Sequence, residues 1–346
     1  MNIALDATYS LGGDLSGVGV YSREMLWGLA NAHPTDQFRF CYRAHRFFRS
    51  FRETLPANAS RYLLGETRAP GAADIFHGLN QRLPRRRLRR AVTTFHDLFV
   101  LTGDYSTAEF RRRFAEQARD AAARSDAIIA VSQFTAGQVI GLLGVEAARV
   151  HVVHHGVREF HGQAAEREKI VLHVGAIQRR KNIARLVEAF DSVDADWQLV
   201  LAGSQGYGAE EIAARIAAAR SRDRIRLLGY VGEAELAQWY ARASIFAFPS
   251  LDEGFGMPVL EAMAAGVPVI ASNRSAIPEV AGDAAWLVDP ENTGELAAAI
   301  QELTRNPERR AELSLRGLSR ATQFSWSEAV EKTWRVYSEV ADRQSG

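Results

Sequence analysis

A single cysteine, Cys41, stands in 346 residues. No intrachain disulfide can form, and a cysteine-based zinc cluster is excluded. Long apolar runs are missing as well: charge or glycine interrupts each run well before the roughly 18 residues that a bilayer span needs, so no transmembrane helix is expected. The opening Met-Asn-Ile-Ala-Leu-Asp carries an acid at position 6 and no basic stretch. It reads as a buried strand, and a secretory leader is not expected. These absences fit a reducing, cytoplasmic setting. There is no internal repeat of solenoid period and no low-complexity segment. No His-x-Glu-x-x-His or Asp-x-Asp pattern supports a metal, so neither a metal nor another cofactor is expected. The glycine loops lack the P-loop and Gly-x-Gly-x-x-Gly patterns, which argues against an NAD-dependent oxidoreductase.

What is present is ordinary globular material, with 47% hydrophobic and 24% charged residues. The length favours two domains over one. The net charge of +1 hides an asymmetry: residues 1–165 carry 21 Arg against 15 Asp and Glu, and residues 166–346 carry 21 Lys and Arg against 26 acids. The first half is thus +6 and the second −5. Either arginine-rich composition or a basic face for an anionic partner accounts for it.

Short β-branched or aromatic runs alternate with helical patterns, the mark of parallel α/β architecture. Strands are expected at 2–6, 38–42, 74–77, 92–95, 127–131 and 150–153, with helices at 18–32, 108–124 and 134–143. The scheme restarts at 170–174 and continues at 198–202, 226–228, 245–248, 269–271 and 286–288. Between the halves, residues 158–169 are polar, with Gly162, Gln163 and the run Glu166-Arg167-Glu168-Lys169, and read as a linker. The expectation is two doubly wound domains, 1–162 and 163–346, whose strand-end loops face a cleft. Trp326, Val330, Trp334, Tyr337 and Val340 recur at spacings of three and four, an amphipathic helix over 326–340 that is expected to pack back on the first domain.

Three loops can carry chemistry. Ser10-Leu-Gly12-Gly13-Asp-Leu-Ser-Gly17-Val-Gly19 follows the first strand and opens a helix, where backbone can approach an anion closely. A plain flexible turn reads equally well. Gly175-Ala-Ile-Gln-Arg179-Arg180-Lys181-Asn182 places adjacent cations at a strand end before a helix, suited to a diphosphate. A solvated basic turn is the alternative. The most specific segment is Pro249-Ser-Leu-Asp252-Glu253-Gly254-Phe255-Gly256-Met257-Pro258-Val-Leu-Glu261. Its glycines permit an irregular turn and Pro258 suits a first helical position. Glu253 in the loop and Glu261 in the helix could grip the hydroxyls of a sugar and a ribose.

The Glu-x7-Glu loop, the Gly175…Arg180-Lys181-Asn182 segment, Val131-Ser132 and His155-Gly156-Val157 together resemble family 4 of the retaining glycosyltransferases. The resemblance runs over nearly the whole chain and implies the GT-B fold. Residues 271–290, with Ser275, Pro278-Glu279-Val280, Gly282-Asp283 and Leu287-Val288-Asp289-Pro290, are most similar to the mannosyltransferase branch. The resemblance implies that Arg180 and Lys181 hold the donor diphosphate beside Gly175, and Glu261 the ribose. Glu253, with the backbone of Gly254, Phe255, Gly256 and Met257, would hold the transferred sugar. Gly229, Tyr230 and Val231 fall where the family holds the nucleobase, and Gly17 and Gly19 would line the same cleft. His96, at a strand end beside Asp97, matches a histidine at the donor sugar; in isolation it reads equally as a core histidine, and Asp97 could fix its tautomer. His151, His154, His155 and His173 read as structural. Gln133 replaces a common Glu, and His154-His155 a common Pro-Asn.

The expected activity is retaining, metal-independent transfer of a hexose, mannose from GDP-mannose, to a glycan or polyprenyl-diphosphate-linked acceptor in polysaccharide biosynthesis. A UDP- or dTDP-sugar, or a non-catalytic sugar-nucleotide or glycan binder, is the alternative; no nucleic-acid partner is expected. If residues 44–53 are helical, Arg43, Arg46, Arg49 and Arg52 form a basic stripe beside Phe47, Phe48 and Phe51. With Arg82, Arg85, Arg86, Arg87, Arg89 and Arg90 they suggest peripheral docking on an anionic membrane surface.

Overall fold

The computed structural model describes residues 1–13, 15–68, 70, 72–158 and 166–343. Two compact units form: Met1–Gly156 with Ser325–Gly346, and Val157–Phe324. The boundary expected between 162 and 163, and most of the expected linker, lie outside the described residues.

The first unit is built on a seven-stranded sheet of β1 Asn2–Asp6, β2 Gln37–Arg43, β3 Ala59–Leu64, β4 Ile75–Gly78, β5 Ala91–Phe95, β6 Ala127–Ala130 and β7 Val150–Val152. The order is β3-β2-β1-β4-β5-β6-β7, and every pairing is parallel. Successive side chains of a strand point to opposite faces, so Ile3 and Leu5 join one core cluster and Ala4 the other. Both faces are therefore covered, as a parallel sheet requires. The helices are α1 Gly17–Ala32, α2 Ala44–Phe47, α3 Phe99–Thr102, α4 Ala108–Arg124 and α5 Gln133–Leu143. Ser16, Thr107 and Ser132 cap α1, α4 and α5 by accepting from backbone N–H groups.

The C-terminal helix Trp326–Asp342 packs on α1 in this unit. Val330, Tyr337 and Val340 are buried in its core, with Trp326 and Trp334 against it. Gly28 makes the approach possible, because a Cβ there would lie 2.6 Å from Val330 Cγ2.

Two sequence expectations are corrected here. The edge strand β3 was not foreseen, and residues 44–53 are not one helix. A single turn, α2, gives way to a 3-10 turn at Phe48–Arg52.

The second unit has β8 Glu168–Val174, β9 Gln198–Ala202, β10 Ile225–Gly229, β11 Ala243–Phe248, β12 Val269–Ser272 and β13 Ala285–Val288. Their order is β10-β9-β8-β11-β12-β13, again all parallel. The helices are α6 Ile183–Phe190, α7 Ala209–Ala218, α8 Glu233–Arg242, α9 Met257–Ala264, α10 Ile277–Ala281, α11 Thr293–Arg305 and α12 Pro307–Ala321. Strand order reverses between β1 and β4 in one sheet and between β8 and β11 in the other. Ligands bind beyond the carboxyl ends of strands at such switch points. Among the described residues no helix is long and apolar enough to cross a membrane.

Candidate active site

The loop after β8 is shaped by backbone approach. Gly175 has φ 152°, and its N–H donates to Ala202 O at 2.9 Å. Gly203, with φ 157°, leaves no room for a side chain: a Cβ there would stand 1.9 Å from Gly175 O. Gly203 N–H in turn donates to Gly229 O at 2.7 Å. The ends of β8, β9 and β10 are thereby joined, and Gly229 itself has φ 71°. Tyr230 next to it is 48% exposed and Val231 is half-buried.

A 3-10 turn, Arg179–Lys181, follows Gly175 and stops at Asn182, which adopts the left-handed region at φ 58°. Asn tolerates that conformation better than most residues. Its Nδ2 donates to Pro249 O at 3.1 Å and Pro290 O at 2.6 Å, tying the turn to the loop after β11. Leu251 N–H donates to Arg180 O at 2.9 Å. Arg179 stays at the surface with Glu211, whereas Arg180 and Lys181 are buried. A solvated basic turn is therefore excluded for these two.

Both buried cations meet Glu253. Its Oε1 is 2.6 Å from Lys181 Nζ and its Oε2 2.9 Å from Arg180. Burial alone would raise this carboxyl, but the guanidinium and ammonium outweigh it and hold Glu253 down to about 2. Lys181 Nζ also lies 4.7 Å over the Phe248 ring. The loop is pinned from the far side. Glu253 N–H donates to Ser275 Oγ at 3.0 Å, and Ala276 N–H to Glu253 O at 3.2 Å. Ser275 takes φ 57° to do so. Gly254, Phe255 and Gly256 are buried, and Gly256, at φ 102°, begins α9. Met257 is the first residue of that helix, so Pro258 takes the second position instead of the first.

Glu261 lies in the second turn of α9, as buried as Glu253. Here burial dominates and its carboxyl is raised, although Arg158 at 3.8 Å and the Tyr240 hydroxyl, donating at 3.1 Å, oppose it. His173 sits beneath Lys181, stacked on Phe248 at 5.6 Å. Its Nδ1 donates to Ala247 O at 2.9 Å, and burial pushes it down to about 4, so the ring is neutral.

In the first unit, His96 follows β5 and is buried. Its Nε2 donates to Leu79 O at 2.9 Å, so the Leu79 carbonyl, and not the adjacent Asp97, fixes the tautomer. Burial pushes it down to about 4, against the Leu79 hydrogen bond. The ring meets the Tyr21 edge at 4.7 Å and stacks with His155 at 5.4 Å. Tyr21 in turn ends a buried chain: Tyr337 hydroxyl to His77 Nδ1 at 2.5 Å, His77 Nε2 to Thr94 Oγ1 at 2.8 Å, Thr94 to Tyr21 at 2.8 Å. Gly17 and Gly19 lie in the first turn of α1, which begins one residue before the expected start at 18; Ser16 Oγ accepts from Gly19 N–H. Among the described residues no group of three or more His, Cys, Asp or Glu is arranged to hold a metal.

Residues 158–320 match the family described as Glycosyl transferases group 1, and residues 16–159 match Glycosyltransferase Family 4. The O-antigen chain mannosyltransferase B of Escherichia coli is 30% identical over 366 residues, 93% of this chain and 96% of that protein. The chain belongs to the group 1, family 4 glycosyltransferases. Sucrose-phosphate synthase from Thermosynechococcus elongatus shares the fold, with TM-score 0.77 at 21% identity over 98% of each chain. Anabaena HepE in complex with UDP and glucose gives 0.74 at 18%, over 97% of this chain and 99% of its own. The two parallel Rossmann-like sheets are those of a GT-B glycosyltransferase.

Sequence reading of this glycosyltransferase missed Gly203, Tyr240 and Arg158. Gly203 carries a readable signal, a glycine at the end of the strand Gln-Leu-Val-Leu-Ala. Tyr240 and Arg158 carry none, since their contacts to Glu261 span 21 and 103 positions.

Proposed function

We propose that this glycosyltransferase moves mannose from GDP-mannose, with retention, to a glycan or polyprenyl-diphosphate-linked acceptor. The observation that carries the reading is the buried meeting of Arg180 and Lys181 on one carboxylate, a cation pair already satisfied by an anion. A nucleoside diphosphate presents charge of the same sign, and more of it, on anionic oxygens that accept from the same two donors. As the sugar departs, negative charge grows on the diphosphate, and two fixed cations in a water-poor site stabilise it more than they stabilise the bound donor. Glu253, displaced from those cations, is then available to accept from sugar hydroxyls, alongside the backbone of Gly254, Phe255, Gly256 and Met257. Glu261, with Tyr240 at its second oxygen, suits the ribose hydroxyls, and Gly229, Tyr230 and Val231 the base. His96 is assigned to the transferred sugar.

Arg180 and Lys181 meet the leaving-group charge themselves, so the reading calls for no divalent cation; transfer undiminished by EDTA is the expected outcome. Mannose is supported by the E. coli mannosyltransferase and by the character of residues 271–290. The structural likeness to HepE, solved with UDP and glucose, favours a UDP-sugar as the second reading. A thermal-shift panel of nucleotides separates them, because a ligand that binds only the native state raises its stability by about 2.7 kcal/mol at a hundredfold excess over Kd. Stabilisation by GDP and not by UDP supports GDP-mannose, and the reverse retires it. Release of nucleotide from the donor then distinguishes an enzyme from a binder, which releases none.

A further inference from the structure

We propose that the edge formed by Phe48 and Phe51, with Arg46, Arg49 and Arg52 beside it, is where the first unit docks on an anionic lipid bilayer. Phe48 is 83% exposed, more than any other large hydrophobic residue described, and Phe51 is 62% exposed. Both lie in the 3-10 turn Phe48–Arg52. Three residues complete a turn there, so residues three apart eclipse. Phe48 and Phe51 fall on one edge, Arg49 and Arg52 on the next.

The phenyl rings are held outward. Phe47 packs against the core of the unit, and the rings of Phe48 and Phe51 meet it edge-on at 5.8 and 5.6 Å. Arg61 Nε and Nη2 donate to Ser50 O at 3.1 and 3.0 Å, with the guanidinium 5.0 Å from the Phe51 ring centroid. Ser50 Oγ donates to Phe47 O at 2.6 Å.

Arg49 and Arg52 are exposed and Arg46 is half-buried. Arg46, Arg49 and Arg52 meet no carboxylate among the described residues, and Glu53, the nearest acid in sequence, faces Arg23 at 3.5 Å. Of the other arginines of the expected basic surface, Arg85, Arg86 and Arg87 are exposed, whereas Arg43, Arg82, Arg89 and Arg90 are engaged within the unit. Arg43 pairs with Glu66 at 2.8 Å and Asp6 at 3.8 Å, and so leaves the stripe. Arg82 pairs with Glu66 and Arg89 with Asp74, while buried Arg90 donates to Ala341 O.

Two phenyl groups offer about 300–500 Å², well short of the roughly 800 Å² per partner that a stable protein interface buries. A bilayer needs no such area. Its interface takes the rings while its phosphates take the guanidinium groups. The purpose of docking rests on the reading of a lipid-linked acceptor, but its test does not.

The full chain, without donor or acceptor, is floated with vesicles of phosphatidylcholine alone or with about one third phosphatidylglycerol. Recovery with the anionic vesicles only, falling as salt is raised, is expected. R46E/R49E/R52E should lower partition on the order of a hundredfold. F48S/F51S should lower it about tenfold with an unchanged circular-dichroism melt, since both side chains are exposed. Equal recovery with neutral vesicles, none with either, or wild-type recovery of F48S/F51S overturns the proposal. So does a concentration-dependent dimer, or binding of a single-stranded oligonucleotide, that the same variants abolish. Failed flotation leaves the transferase reading standing, and failed nucleotide release leaves the docking standing.

Discussion

Glu253 and Glu261, eight positions apart and each 7% exposed, are driven in opposite directions by their surroundings. Burial raises both. Two cations within 3 Å overcome it at Glu253, and one guanidinium at 3.8 Å does not at Glu261.

The two carboxyls therefore give opposite pH dependence of stability. Glu253, held down to about 2 in the fold against an ordinary 4.5, contributes stability above pH 4.5 that is lost as pH falls toward 2. Glu253→Gln takes the carboxylate from two buried cations and is expected to cost on the order of 3–5 kcal/mol at neutral pH, the gap narrowing below pH 4.5. Glu261 is raised, so its proton is bound more tightly in the fold than in the unfolded chain, and the stability this gives at low pH is lost as pH rises above 4.5. Glu261→Gln should gain on wild type as pH rises. Denaturant titrations of both variants between pH 3 and 7.5 check each sign, and parallel curves would contradict the assignment.

Arg180→Ala and Lys181→Ala are each expected to cost about 2–4 kcal/mol in kcat/KM, by analogy with removing one donor from an oxyanion site. Their effects should not add, because both act on one charge. A double variant with full activity would end the assignment of these residues to the diphosphate.

Tyr337→Phe takes from His77 its Nδ1 partner in a fully buried setting, and should destabilise the first unit by about 1–3 kcal/mol. Burial, chiefly, holds His77 down to about 3 and His96 to about 4, so both stay neutral in the fold. Unfolded histidines take up protons below about pH 6.5. Stability of this unit is then present above 6.5 and lost as pH falls toward 4. Hydrogen exchange at pH 7 and pH 5 reads this in the strands β4 and β5. Unchanged protection would count against it.

Much of this was legible beforehand. The strands that lie inside the sheets are short runs of Val, Ile, Leu, Phe and Ala, buried on both faces, and such runs announce themselves. Edge strand β3, Ala-Ser-Arg-Tyr-Leu-Leu, is paired along one edge only, is mostly half-buried, and has the mixed pattern of a loop. The arginine spacing of three at 43–52 makes a stripe only on a continuous helix; Arg43 instead ends β2, Arg46 lies in α2, and only Arg49 and Arg52 share the 3-10 turn. At the site, Arg180, Lys181, Glu253 and Glu261 were visible as charges at strand ends. What could not be read was the pairing: that Glu253 lies between the two cations, that Tyr240 serves Glu261, and that Leu79 carbonyl holds His96. Each depends on contacts between segments distant in sequence.

The C-terminal helix carries a consequence for the order of assembly. Residues 157–324 are contiguous, and their sheet can close as soon as they have left the ribosome. The first unit, synthesised earlier, lacks Val330, Tyr337 and Val340 from its core until residues 326–342 have been made. The nascent first unit thus waits with α1 uncovered, and the unit made second is the first able to fold completely.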